Sequence, residues 1–241
     1  MGVSTAAPLA GSATAPFPRV PDSGAIAQHF ARVLRGAERR DLPYRHWVLR
    51  GVLPEELAVG VLLLPIAPPL IGDNGGVRDL DNSKRTFFTP ALRAQFPACA
   101  NFADAMQRPD IARLFEQVCG ITAGGGFLRM EYIQDTAGAW LQPHCDIPEK
   151  LFSMVIYLCT GPEAKDWGTD IYDEQRRWIG RTSAEFNSAV IFIPGRNTWH
   201  GFERRPIVGV RRLMEINYVR PSWRDRDQLA FPDRPIAVVQ G

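Results

Sequence analysis

Long apolar runs, dense clusters of one charge and closely spaced cysteines are all missing from this sequence, and each absence excludes a class of protein. The run around Val61 to Pro65 is far too short to cross a bilayer. Lys and Arg form no cluster and the net charge is only +2, so neither nucleic acid nor a membrane surface is implied as a partner. The four cysteines, at 99, 119, 145 and 159, contain no CxxC pair, which argues against a disulfide framework and for a reducing, cytoplasmic setting. Residues 1–22 are rich in Ala, Ser, Pro and Gly, with Arg19 as their only basic side chain. They lack the charged start and apolar run of a secretory signal and are expected to form a disordered tail.

What is present is an ordinary soluble composition, 45% apolar and 22% charged, in a chain of 241 residues. That length suits a single domain over residues 23–241. Up to about residue 126 the pattern is mostly helical. Ser23 is placed to cap a helix to about Arg35 with Ile26, Phe30, Val33 and Leu34 on one face. Trp47 to Leu49 reads as a short strand, Pro54 opens a helix, and Pro109 to Gly120 has a helical start, an apolar stripe and a terminal glycine. Between them, the polar segment from Gly72 to Arg85 reads as a loop with the makings of a lid.

Beyond Gly126 the period shifts toward two. Phe127–Ile133, Leu151–Cys159, Thr169–Tyr172, Arg177–Arg181, Ala189–Ile193 and Val208–Val219 read as strands separated by short turns. Strands that follow a run of helices predict an α+β fold: a β sandwich or barrel over about 127–220 with a helical layer, about 23–126, on one face.

The chemistry concentrates at Gln142-Pro-His-Cys-Asp-Ile-Pro148. On extended backbone, residues i and i+2 point the same way and i+1 points oppositely. His144 and Asp146 can therefore meet one cation, while Cys145 turns to the reverse face as a packing residue. One imidazole and one carboxylate make two thirds of a 2-His-1-carboxylate site, whose open positions suit ferrous iron. Only His29, His46 and His200 remain as a third ligand. The first two fall in the helical preface, which leaves His200, just past a predicted strand.

These residues resemble a known family. "PHCD" at 143–146, "GTDIYD" at 168–173, "IFIPGRNTWHGF" at 191–202 and "GVRRLMEINYV" at 209–219 are similar, in that order, to the Fe(II)/2-oxoglutarate-dependent oxygenases, above all their prolyl-hydroxylase-like branch. The stretch "LPYRHWVLRGVLPEEL" at 42–57 is similar to the start of such domains. The resemblance implies a double-stranded β-helix (jelly-roll, cupin-like) core. It implies Fe(II) on His144, Asp146 and His200, 2-oxoglutarate chelating that iron, O2 as oxidant, and hydroxylation of a C–H bond with release of succinate and CO2. The far carboxylate of the cosubstrate would need a buried cationic fork. Family spacing favours Arg211 over Arg212, as does the polar face that Arg211 shares with Leu213, Glu215 and Asn217. By the same resemblance Tyr157 and Tyr132 would line the cosubstrate site, although each would serve equally as a core aromatic. Arg129, on the Tyr132 strand, reads as solvated or paired.

For the substrate, a small molecule or a peptide side chain, the candidates are Trp140, Gln142, Trp199, Glu215 and Asn217. The tryptophans are also plausible core residues. One departure stands out: Trp167-Gly168 occupies a position where many family members carry two glycines, so prolyl hydroxylation does not carry over automatically. Three rival readings are weaker: the few histidines argue against a non-redox cupin-like isomerase or sugar binder, the complete triad with Arg211 argues against a jelly-roll binding module with a vestigial site, and a zinc site using Cys145 would need residues i and i+1 to converge, which an extended chain prevents. Oligomeric state is not legible.

Overall fold

A computed structural model describes residues 18–70, 75–77 and 85–238. Among these residues five α-helices, α1 (Ser23–Arg35), α2 (Glu55–Leu62), α3 (Pro90–Gln95), α4 (Pro97–Gln107) and α5 (Pro109–Cys119), precede or interleave with the first short strands β1 (Glu38–Arg40), β2 (His46–Arg50) and β3 (Thr86–Phe87). The remaining strands follow without further α-helix among the described residues: β4 (Phe127–Asp135), β5 (Leu141–His144), β6 (Lys150–Tyr157), β7 (Asp170–Tyr172), β8 (Trp178–Arg181), β9 (Ser188–Phe192), β10 (His200–Phe202) and β11 (Arg211–Val219).

They form two antiparallel sheets. The larger runs β1-β2-β9-β6-β11-β4-β3 and the smaller β5-β10-β7-β8. From β4 onward the chain passes back and forth between the sheets, which makes the core a jelly roll, the double-stranded β-helix. The fold is α+β, as the sequence pattern predicts.

Strand alternation decides what each face of the large sheet holds. Leu128, Met130 and Tyr132 of β4, Phe152, Met154 and Ile156 of β6, and Met214, Ile216 and Tyr218 of β11 point to the helices. They join Phe30, Phe102 and Phe115 in the main core. The next-door residues point between the sheets, where Ile133, Tyr157, Val190 and Leu213 form a second cluster with Trp167 and Phe202 from the opposite side. The helical layer is locked down by aromatics. The Phe115 ring lies 4.3 Å from Phe152 and 5.4 Å from Phe30 between centroids, and the Tyr218 hydroxyl donates to the Met106 carbonyl at 2.8 Å.

The small sheet is held by one buried anion. Asp170 is fully buried and accepts from Arg181 Nε at 2.9 Å, Trp178 Nε1 at 3.0 Å and the Glu203 amide at 2.8 Å, with Arg205 as a further partner. It thereby ties β7 to β8 and to the chain leaving β10. A carboxylate buried so deeply is tolerated only because its lone pairs are filled.

The helix α1 begins one residue earlier than the sequence suggests. Asp22, in extended geometry, accepts the Ala25 amide at 2.8 Å, so Asp22 and not Ser23 is the cap. The expected lid from Gly72 to Arg85 lies mostly outside the described residues. So do residues 1–17 of the expected tail.

Phe115→Ala is expected to lower stability by about 3–5 kcal/mol, because a filled aromatic site under α5 becomes a cavity. Equilibrium denaturant unfolding measures it. A loss below about 1 kcal/mol would show that the helical layer does not depend on this contact.

Candidate metal centre and its pocket

Between the sheets lies a cavity of about 380 Å³, of the size that takes a small ligand. Ile133, Val155 and Leu213 line it from the large sheet, and His144, His200 and Phe202 from the small one.

The metal-ligand candidates meet here through strand pairing. β5 and β10 run antiparallel with His144 directly opposite His200, and the two imidazole rings are 4.3 Å apart. That approach depends on Gly201, where an added Cβ would stand 2.8 Å from the Leu141 carbonyl oxygen. Asp146 follows the end of β5, in an irregular stretch that turns its carboxylate back toward the histidines. One ligand atom from each of His144, Asp146 and His200 lies within 4.8 Å of the other two.

The tautomers are set by the backbone. His144 Nδ1 lies 3.0 Å from the Gln142 carbonyl and His200 Nδ1 2.9 Å from the Thr198 carbonyl. A carbonyl only accepts, so each Nδ1 is the protonated nitrogen and each Nε2 presents a lone pair. Burial, and then the neighbouring His144, push His200 down to about 4, so it is neutral and ready to ligate at ordinary pH. Burial alone would raise Asp146, but the Lys150 ammonium and His200 outweigh it and hold the carboxyl below its usual value. Two imidazoles and one carboxylate converging on one point fit a divalent metal with positions left open, ferrous iron being the usual occupant.

At the other end of the cavity Arg211 is 3% exposed. It donates through Nε to the Trp167 carbonyl at 2.7 Å and through Nη1 to Asp135 at 2.5 Å, and its guanidinium lies 4.0 Å over the Phe202 ring. Nearby, the Tyr157 hydroxyl meets Thr169 Oγ1 at 2.6 Å and Thr182 Oγ1 at 2.7 Å and accepts the Thr169 amide at 3.0 Å. This knot needs Gly168, where a Cβ would fall 1.7 Å from the Thr182 carbonyl oxygen. Arg211 and Thr169 line the cavity, whereas Tyr157, fully buried with its hydroxyl engaged by Thr169 and Thr182, stands behind the lining, contrary to the expectation that it lines the site; the Arg211 guanidinium is shared with Asp135.

A ladder of ion pairs crosses the floor beside the metal-ligand candidates. Lys150 Nζ bridges Asp146 Oδ1 at 2.7 Å and Glu215 Oε1 at 2.6 Å, and Ser153 donates to Asp146 Oδ2 at 2.7 Å. Arg129, 1% exposed, donates to Asn217 at 2.7 Å, Gln228 at 3.0 Å and Glu131 at 2.7 Å, and Arg85 reaches Glu131 at 2.6 Å. Burial would raise Glu215, yet Lys150 and Arg129 hold it well below the usual carboxylate range.

Several sequence expectations need correction. Tyr132 does not reach the cavity: it shares the face of Leu128 and Met130 and is buried in the core under the helices. Of the two alternatives for Arg129, solvated or paired, the paired one holds, and the side chain is buried. Asn217, fully buried behind the ladder, stands outside the cavity lining and braces Arg129. Trp140 packs on Gly76 and under Arg204, 4.4 Å from its ring, and Trp199 stacks with Arg176 at 4.1 Å; neither joins the lining. Gln142 and Glu215 do line the cavity. Cys145 stays outside the ligand cluster, as strand alternation expects, and borders both this cavity and a second one beside Pro194 and Gly195. Arg211 faces the cavity, whereas Arg212 points to the other face and meets Gln134 at 3.3 Å. The sequence reading missed Lys150, Asp135, Glu131 and Thr169. The alternation of β4 carried a usable signal, since Leu128, Met130 and Tyr132 share one face and Arg129, Glu131 and Asp135 the other.

No family model matches the chain, and no curated protein matches it in sequence. Its fold is similar to solved structures. A prolyl 4-hydroxylase from Phytophthora capsici matches with a TM-score of 0.56 and 12% identity over 86% of this chain and 70% of that one. A Pseudomonas putida prolyl-4-hydroxylase matches at 0.50 and 17% over 87% and 100%. The non-heme alpha ketoglutarate dependent epimerase SnoN from nogalamycin biosynthesis matches at 0.51 and 14% over 91% and 93%. At such identities the likeness is one of fold.

The metal-free protein is expected to lose stability as pH falls from about 6.5 toward 4. In that window the unfolded chain protonates its histidines, near 6.5, while His200 at about 4 stays neutral, so the unfolded state binds more protons. His46, lowered by burial, adds to the same trend. Below that window the depressed carboxyls of Asp146 and Glu215 act in the same direction. Melting temperatures across this range should drop, and His200→Gln should flatten part of the upper slope. A melting temperature unchanged between pH 6.5 and 4.5 would contradict this.

Proposed function

We propose that the protein is an Fe(II)- and 2-oxoglutarate-dependent oxygenase that hydroxylates a C–H bond of a small molecule or peptide side chain. The observation that carries this reading is the convergence of His144, Asp146 and His200 at one end of a cavity whose other end holds Arg211. Iron and cosubstrate, when bound, supply the oxidising chemistry, in which O2 is consumed, 2-oxoglutarate becomes succinate and CO2, and one oxygen atom enters the substrate.

The chain's own residues do the rest. His144 and His200 offer Nε2 because the Gln142 and Thr198 carbonyls hold their Nδ1 protons. Arg211, with Thr169 beside it, receives the far carboxylate, and its length of reach sets which oxo acid fits. Ile133, Val155 and Leu213 form a dry middle layer that keeps water from the oxidant. On the remaining side Lys150, Glu215 and Arg129 confront the substrate with charged groups. An apolar ring placed there would strip water from those charges without replacing it, so the ladder favours a substrate with hydrogen-bonding groups of its own. The fold similarity to prolyl 4-hydroxylases and to an alpha ketoglutarate dependent epimerase from nogalamycin biosynthesis is compatible with this reading. The free cysteines fit a reducing cytoplasm.

Succinate formation from 2-oxoglutarate in air is the decisive assay. Wild-type protein loaded with Fe(II) should release it, and His200→Ala should not. Arg211→Ala should raise the 2-oxoglutarate requirement on the order of ten- to a hundredfold, the loss of a charged hydrogen-bond pair, while Arg212→Ala changes it little. No succinate from the wild type, or the reverse order of the two arginine variants, would contradict the proposal.

A further inference from the structure

Glu215 is a carboxylate too many. It lines the cavity that holds the metal-ligand candidates, and a divalent metal accepts carboxylate oxygen readily. Were Glu215 to join, it would occupy one of the positions that an oxygenase must keep open.

One ammonium stands in the way. Lys150 Nζ lies 2.7 Å from Asp146 Oδ1 and 2.6 Å from Glu215 Oε1, so it sits between the ligand carboxylate and the surplus one. Two further donors help to hold Glu215, with Asn217 Nδ2 at 3.2 Å from its Oε1 and Arg129 Nη1 at 3.7 Å from its Oε2. Asp146 is meanwhile held by its second oxygen to Ser153 at 2.7 Å. A cation beside a metal ligand is unfavourable by itself, because it repels the metal and weakens the ligand's donor charge. Neutralising buried acids does not explain it either, since apolar residues in place of a buried ion pair are often as stable.

We propose that Lys150 is a positioning residue that keeps Glu215 out of the metal's coordination sphere, so that the protein supplies three ligands and leaves the other positions open. This rests on the reading of His144, Asp146 and His200 as a metal centre. The lysine is suited to the role: its short-range point charge satisfies two carboxylates at once, and its flexible stem adapts when Asp146 turns to a metal.

Cobalt(II) in place of iron gives a readout independent of turnover. The wild type should bind Co(II), and added 2-oxoglutarate should shift its visible d–d absorption by entering the open positions. Lys150→Met should bind Co(II) on the order of tenfold more tightly and no longer respond to 2-oxoglutarate, because Glu215 has closed the site. Lys150→Met/Glu215→Gln should regain the response. The double variant removes both charges together, so it tests the idea even where the single variant does not fold. A Lys150→Met protein with weaker Co(II) binding or an intact response, or a double variant without response, would overturn the proposal. A wild type that binds no Co(II) would overturn the metal centre itself, which is a separate and recognisable result.

Discussion

The two-residue period of β4, β6, β9 and β11 is the constraint from which the rest of this structure follows. One set of side chains, Met130, Phe152, Met154, Ile191, Met214 and Ile216 among them, is handed to the helices and supplies the buried apolar area that holds the layers together. The alternate set is thereby released from that duty. It can carry Arg129, Glu131, Ser153, Glu215 and Arg211 between the sheets, groups that no globular core would otherwise accept in such number. A one-residue slip would exchange the two sets, burying the ion ladder under the helices and emptying the cavity of its chemistry.

The cavity so formed has distinct regions. At one end, β5 and β10 bring His144 opposite His200, and the turn after β5 adds Asp146. Beyond the apolar layer of Ile133, Val155 and Leu213 lies Arg211 with its Asp135, Thr169 and Tyr157 surroundings. On the floor runs the ladder from Arg85 to Lys150. A candidate metal end separated from a buried arginine by an apolar spacer is the arrangement that the proposed dicarboxylic oxo acid would require. The ladder makes the third side polar, which sets this pocket apart from one built to grip an apolar ring.

Much of this was legible beforehand, for reasons particular to each element. A β sandwich or barrel was readable because its strands are short, alternating and separated by turns; its jelly-roll form came from the resemblance. His144, Asp146 and His200 were readable because so few histidines compete for the role, and Arg211 because its strand divides into a polar and an apolar face. Tyr132 was misplaced although the same parity argument, applied to β4, puts it with Leu128 and Met130. Cys145 was kept out of the ligand cluster by the same alternation, although Asp146 lies just past the end of β5. The alternation of β4 puts Glu131 and Asp135 on the inner face, but their roles, like that of Lys150, come from partners outside their own strands: Arg85, Arg211 and Glu215. Long-range pairing of charges has no local signature.

X-ray absorption on the Fe(II)-loaded protein, kept free of oxygen, tests the central claim most directly. The account expects two imidazole nitrogens and carboxylate oxygen from the protein, with solvent in the remaining positions. On addition of 2-oxoglutarate, a bidentate oxygen chelate should replace solvent, accompanied by a weak visible charge-transfer band. A sulfur ligand from Cys145, a site already filled by protein ligands, or a spectrum indifferent to 2-oxoglutarate would contradict it.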